Sequence, residues 1–134
     1  MARSAPRTRL SAEALEAREV PATLSWFRGE MLLVADSTGS TVRVTDLDSG
    51  NTPSTADNFY LVEATDPAKR QGWAQVVPKA GVTMLRFYGS AYNDTFENIT
   101  RLPSVAFGYG GRDMVVGGSG NDVLHGGDHD DRLN

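Results

Sequence analysis

The feature that most restricts what this chain can fold into is a period of nine residues across its last 27, Gly108 to Asn134. Three blocks fill it: Gly108-Tyr-Gly-Gly-Arg-Asp-Met-Val-Val116, Gly117-Gly-Ser-Gly-Asn-Asp-Val-Leu-His125 and Gly126-Gly-Asp-His-Asp-Asp-Arg-Leu-Asn134. Asp113, Asp122 and Asp131 fall at position six, and Val115, Leu124 and Leu133 at position eight. A unit this short cannot bury its own apolar side chain, so the period implies a solenoid in which units stack. Glycine reaches left-handed backbone conformations at low steric cost, so the first six residues of a block can turn tightly, carbonyls and carboxylate facing inward. The last three make a short strand with one apolar side chain toward the core.

Carbonyls and carboxylates gathered in this way suit a hard cation such as calcium, which takes about six to eight oxygen ligands in a flexible cage. The blocks resemble the RTX, or haemolysin-type, calcium-binding nonapeptide repeat, glycine-glycine-x-glycine-x-aspartate-x-apolar-x. Gly117 to His125 matches it at every specified position. The resemblance implies a parallel β-roll with Ca2+ held between turns by aspartate carboxylates and backbone carbonyls. The ligand set it implies is Asp113, Asp131, Asp122 and Asp94, with Gly108, Gly110, Gly117, Gly126, Gly127 and Asp128 from the turns. One coil of such a roll uses two blocks, so turns on the same side are 18 residues apart and Asp113 faces Asp131. Asp122 finds Ser104 on one side and no partner within the sequence on the other, which leaves it half a site.

Two departures affect the blocks: Tyr109 replaces the second glycine of the first, and His129 the fourth-position glycine of the third. Histidine is among the non-glycine residues that best tolerate positive φ, so the second turn is expected to survive with some strain. Upstream, Gly89 to Glu97 is a degenerate block carrying Asp94, and Ile99 to Phe107 another with Ser104 at the ligand position. Asn98 is an extra residue between them, and a bulge there lets Asp94 face Asp113, 19 residues on, across a weaker second site.

The fold class expected is all-β: a short antiparallel hairpin segment over 22–88 leading into a parallel β-roll over 89–134, degenerate to 107 and well formed from 108. Thr23–Phe27, Glu30–Ala35 and Thr41–Leu47 alternate as strands, with Gly29 and the run Asp36 to Ser40 as hairpin connections. Phe59–Ala64, Trp73–Val77 and Gly81–Tyr88 follow as further strands. Residues 1–21 read as a leader or disordered tail, with two helical turns over Ser11 to Arg18 that Pro21 stops. Ala14 to Ala22 is similar to the short leader of planctomycete surface and secreted proteins, and Phe87 to Asn134 to calcium-binding repeat proteins of the same bacteria.

Other chemistry finds little footing. The chain has 134 residues, net charge −4 and no cysteine, which excludes disulfides and thiolate metal sites and disfavours nucleic acid as a partner. No apolar run approaches the roughly 18 residues that span a bilayer. The two histidines, His125 and His129, flank Gly126-Gly127, so a shared helix face is excluded and a zinc site with Asp128 is disfavoured. Asp46-x-Asp48-x-Gly50 opens like an EF-hand loop, but Asn51 stands where that loop needs glycine. Trp73, Phe87 and Tyr88 read as a sugar platform or, at strand spacing, as sheet packing. No catalytic constellation is visible. The function expected is calcium binding coupled to folding in an extracellular or cell-surface structural module; the alternative is a secretion or interaction module of a larger secreted enzyme or adhesin, with self-association or a longer parent chain completing the last repeat.

Overall fold

The computed structural model describes residues 22–36, 38–47, 58–66 and 70–134. The expected leader, the helical turns over 11–18 and the loop around Asp48 and Gly50 lie outside the described residues. The described chain is all-β, with strands β1 (Ala22–Phe27), β2 (Glu30–Ala35), β3 (Thr41–Asp46), β4 (Phe59–Asp66), β5 (Gln71–Pro78), β6 (Met84–Tyr88), β7 (Thr95–Ile99), β8 (Ser104–Phe107), β9 (Met114–Val116), β10 (Asp122–His125) and β11 (Arg132–Leu133). No helix among the described residues is long and apolar enough to cross a membrane.

The strands form two mixed sheets, ordered β1-β2-β6-β8-β10 and β11-β9-β7-β3-β4-β5. Antiparallel pairing is confined to β1 with β2 and to β3-β4-β5; β2-β6-β8-β10 and β3-β7-β9-β11 are parallel throughout. From β6 onward each strand lies in the sheet opposite its predecessor, and from β8 onward each pairs with the strand two before it. Side chains alternate along each strand with period two, and Leu85, Phe87, Phe96, Ala106 and Val115 fall on the faces between the sheets and are fully buried. Phe87 from one sheet stacks on Phe96 from the other, with ring centroids 4.8 Å apart. Full burial of side chains this size contributes roughly 1.5–3 kcal/mol each.

One sequence expectation changes. The run Asp36 to Ser40 does not close a hairpin, because β2 and β3 lie in different sheets. Met31 and Leu33 on β2, and Val42 and Val44 on β3, are all fully buried, which requires both strands to line the common core from opposite sides. Gly39, at φ +94°, lies so close to the Asn93 carbonyl that a β-carbon there would sit 2.6 Å from it. The link therefore stacks on the next turn of the winding. β2 pairs with β6 and β3 with β7 across 54 residues each, three times the 18-residue coil, while β4 and β5 form a hairpin added to the edge of β3. The same two sheets thus run through both the 22–88 and the 89–134 segments.

Burial of the repeats also falls along the stack. Val115 is fully buried and Leu124 partly so, but Leu133 is 44% exposed, because β11 is an outer strand with a neighbour on one side. The three aromatics that read as a sugar platform are packed: Phe87 is in the core, Tyr88 stacks on Phe107, and the Trp73 indole N–H donates to the Ala22 carbonyl at 3.0 Å.

Candidate metal centre

The winding produces two edges where links cross between the sheets. On one, the link ending at Ser40 stacks with links 89–94, 108–113 and 126–131, and the aspartates of the last three form a ladder. Asp94 Oδ1 accepts the Ser40 backbone N–H at 2.8 Å, Asp113 Oδ1 accepts that of Asp94 at 2.7 Å, and Asp131 Oδ1 accepts that of Asp113 at 2.8 Å. Each carboxylate therefore fixes the link before it, which is why position six of the block is aspartate. The ladder contains Asp94, Asp113 and Asp131, with Gly108, Gly110, Gly126, Gly127 and Asp128 in the same links.

Asp122 and Gly117 lie on the opposite edge, where links 98–103 and 117–121 stack. Asp122 Oδ1 accepts both the backbone N–H and the hydroxyl of Ser104, at 2.9 and 2.7 Å. The extra residue does fall here. Register pairs Glu97 with Val116 and Ser104 with Asp122, so the first of these links is one residue longer than the second. That is what brings Asp94 level with Asp113.

Backbone geometry separates the edges further. In link 108–113, Tyr109 and Gly111 have φ of 70° and 85°; in link 126–131, Gly127 and His129 have 92° and 77°. Both replaced glycines thus hold left-handed conformations. In link 117–121, Gly118 is left-handed at 93° but Gly120 is not.

On the aspartate edge the second carboxylate oxygens differ in what they meet. Asp94 Oδ2 accepts the backbone N–H and hydroxyl of Ser90 at 2.6 and 2.9 Å. Asp113 Oδ2 is buried with no hydrogen-bond partner, and the residue is 3% exposed. A β-carbon at Gly108 would collide with both this oxygen and the Gly126 carbonyl, so the orphan oxygen and a carbonyl of the next link converge on one glycine. Burial pushes the Asp113 carboxyl up to about 6 from 3.8; the N–H of Asp94 opposes the shift, the charges of Asp94 and Asp131 add to it, and His129 offsets part of it. Asp94 is also raised, chiefly by burial, against hydrogen bonds from Ser90 and Ser40.

Residues 107–134 match the family model of the RTX calcium-binding nonapeptide repeat (4 copies). This segment is a run of RTX repeats. RTX nonapeptide repeats bind Ca2+. No curated protein and no solved structure matches the chain.

The residues present fit that ion. Among the described residues no three histidine, cysteine, aspartate or glutamate side chains converge to hold a metal, so an ion in the RTX repeats would draw much of its shell from backbone carbonyls. The orphan Asp113 oxygen beside the Gly126 carbonyl is the donor pair that calcium favours, hard oxygen with one formal charge. His125 stacks on Phe107 with ring centroids 4.9 Å apart, and so takes part in sheet packing.

The sequence reading missed three participants. Ser40 and Ser90 serve the ladder as donors to Asp94, and Asn98, read as a bulge, is a fully bonded buried amide. A polar link with glycine just before a β-alternating run, as in Asp36 to Val44, is the signal that would have found the first link; the inserted hairpin breaks its period.

Proposed function

We propose that this chain is a calcium-ordered structural module of the extracellular space or cell surface, with its repeats wound as a parallel β-roll. The observation that carries the reading is the buried, unpartnered Asp113 Oδ2 facing the next link. Asp113 and Asp131 supply the carboxylates, and Gly108, Gly110, Gly126, Gly127 and Asp128 supply turn carbonyls. Asp94, whose oxygens are already engaged by Ser40 and Ser90, makes the weaker neighbour. Parallel pairing in β3-β7-β9-β11 and β2-β6-β8-β10 supports the roll.

The chain's own residues explain why the ion couples to folding. Asp113, Asp128, Asp130 and Asp131 gather like charges in two short links, and β11 buries little apolar area. Ordering backbone costs roughly 1–2 kcal/mol per residue, so these links are held weakly by packing. An ion at about a hundred times its dissociation constant adds about 2.7 kcal/mol to the folded state. Extracellular calcium modules work at about 10⁻⁴–10⁻³ M, which would let the repeats order after export from a calcium-poor compartment.

Thermal unfolding of the whole chain in calcium, in magnesium and without divalent ions tests this. The melting temperature should rise in calcium and hardly in magnesium, and Asp113→Asn should abolish the rise. Equal melting in all three conditions would sink the proposal.

A further inference from the structure

The edge opposite the aspartate ladder has the same stacked links but closes its carbonyls differently. Asn98 is 1% exposed, at the start of the longer link. Its Nδ2 donates to the Leu102 carbonyl of its own link at 2.9 Å and to the Gly117 carbonyl of the next link at 2.6 Å. Its Oδ1 accepts the Thr100 backbone N–H at 3.0 Å and the Thr100 hydroxyl at 2.6 Å. Two donated and two accepted bonds use the full complement one expects of a buried primary amide.

On the basis of the calcium reading above, we infer that Asn98 replaces an ion on this edge: its amide bridges the carbonyls of successive links, and Asp122 is therefore not a calcium ligand. An ion between stacked links would be positive and surrounded by carbonyl oxygens. The Asn98 NH2 group is the positive end of a dipole and meets one carbonyl from each of two links.

The surroundings agree. The ladder position opposite Asp122 is Ser104, so this edge has one carboxylate per pair of links where the other has two. Ser104 already donates twice to Asp122 Oδ1, and its hydroxyl lies 3.4 Å from the Gly117 carbonyl. Gly120 does not take the left-handed conformation that Gly111 and His129 take at the equivalent position, so link 117–121 does not present its carbonyls as the aspartate-edge links do. The additional residue in link 98–103 provides room for the amide. One edge would then respond to calcium while the other stays closed at any calcium concentration.

Calorimetric calcium titration of the whole chain tests the inference. Asp122→Asn should keep the wild-type stoichiometry, with affinity within about twofold, while Asp113→Asn loses binding. Asn98→Asp, which removes both amide donors and places a carboxylate against the two carbonyls, should gain one ion and melt lower without calcium than with it. A fall in stoichiometry in Asp122→Asn overturns the inference, as does an Asn98→Asp chain that gains no ion, folded or not. Wild-type protein that takes up no calcium overturns instead the calcium reading on which the inference rests.

Discussion

The two edges share one winding and one core, yet one ends in a ladder of three aspartates and the other in a buried amide with a serine and a single aspartate. The difference teaches that a consensus block is not by itself a site. Gly117 to His125 matches the repeat pattern at every specified position, but its coil partner offers Ser104 in place of a second carboxylate. The blocks at 108 and 126 depart from the pattern at Tyr109 and His129, yet both adopt two left-handed residues and pair aspartate with aspartate. Because a coil takes two blocks, what a turn can hold depends on the residue 18 positions away.

The largest expected effect removes the comparison altogether. Phe96→Ala deletes the ring that joins the two sheets against Phe87, and should cost roughly 3–5 kcal/mol in denaturant unfolding, weakening both edges together. A loss confined to one edge by hydrogen exchange would show that the edges do not share a core. Next, Asn98→Leu leaves the Leu102 and Gly117 carbonyls and the Thr100 donors without the amide. Each unpaired buried group costs about 1–3 kcal/mol, and calcium should not restore the melting temperature. Recovery in calcium would erase the distinction between the edges.

A pH series sharpens it. The folded Asp113 carboxyl titrates near 6 rather than 3.8, so the calcium-free fold binds the proton more tightly than the unfolded chain does. Its contribution to stability is therefore present below the ordinary carboxylate range and is lost as pH rises through about 6. Calcium needs the ionised form, so the melting shift it causes should grow over the same interval. Parallel melting curves with and without calcium from about pH 4 to 8 would contradict this. The smallest effect is His129→Gly, which relieves a left-handed conformation at φ 77° and should raise calcium-bound stability by about 1 kcal/mol, leaving the asparagine edge unchanged.

Much of this was legible in the residues. The nine-residue period indicated stacked turns, the facing of Asp113 with Asp131 follows from counting two blocks per coil, and the extra residue near Asn98 can be found by matching Asp94 to Asp113. What could not be read was where the winding begins. β2 and β3 belong to it, but the β4-β5 hairpin separates them from β6 and β7 in sequence, and the turn signal over Asp36 to Ser40 is the same for a hairpin as for a link between sheets. The role of Asn98 was hidden for a different reason. A bulge and a bridging amide have the same sequence, and only the Gly117 carbonyl 19 residues away distinguishes them.

Amide chemical-shift mapping during a calcium titration tests the central claim most directly. The account predicts that the largest changes fall on Gly108 to Asp113 and Gly126 to Asp131, with the amides of 98–103 and 117–122 nearly still. Saturable shifts of equal size on the asparagine edge, or on it alone, would contradict the assignment of calcium to the aspartate ladder.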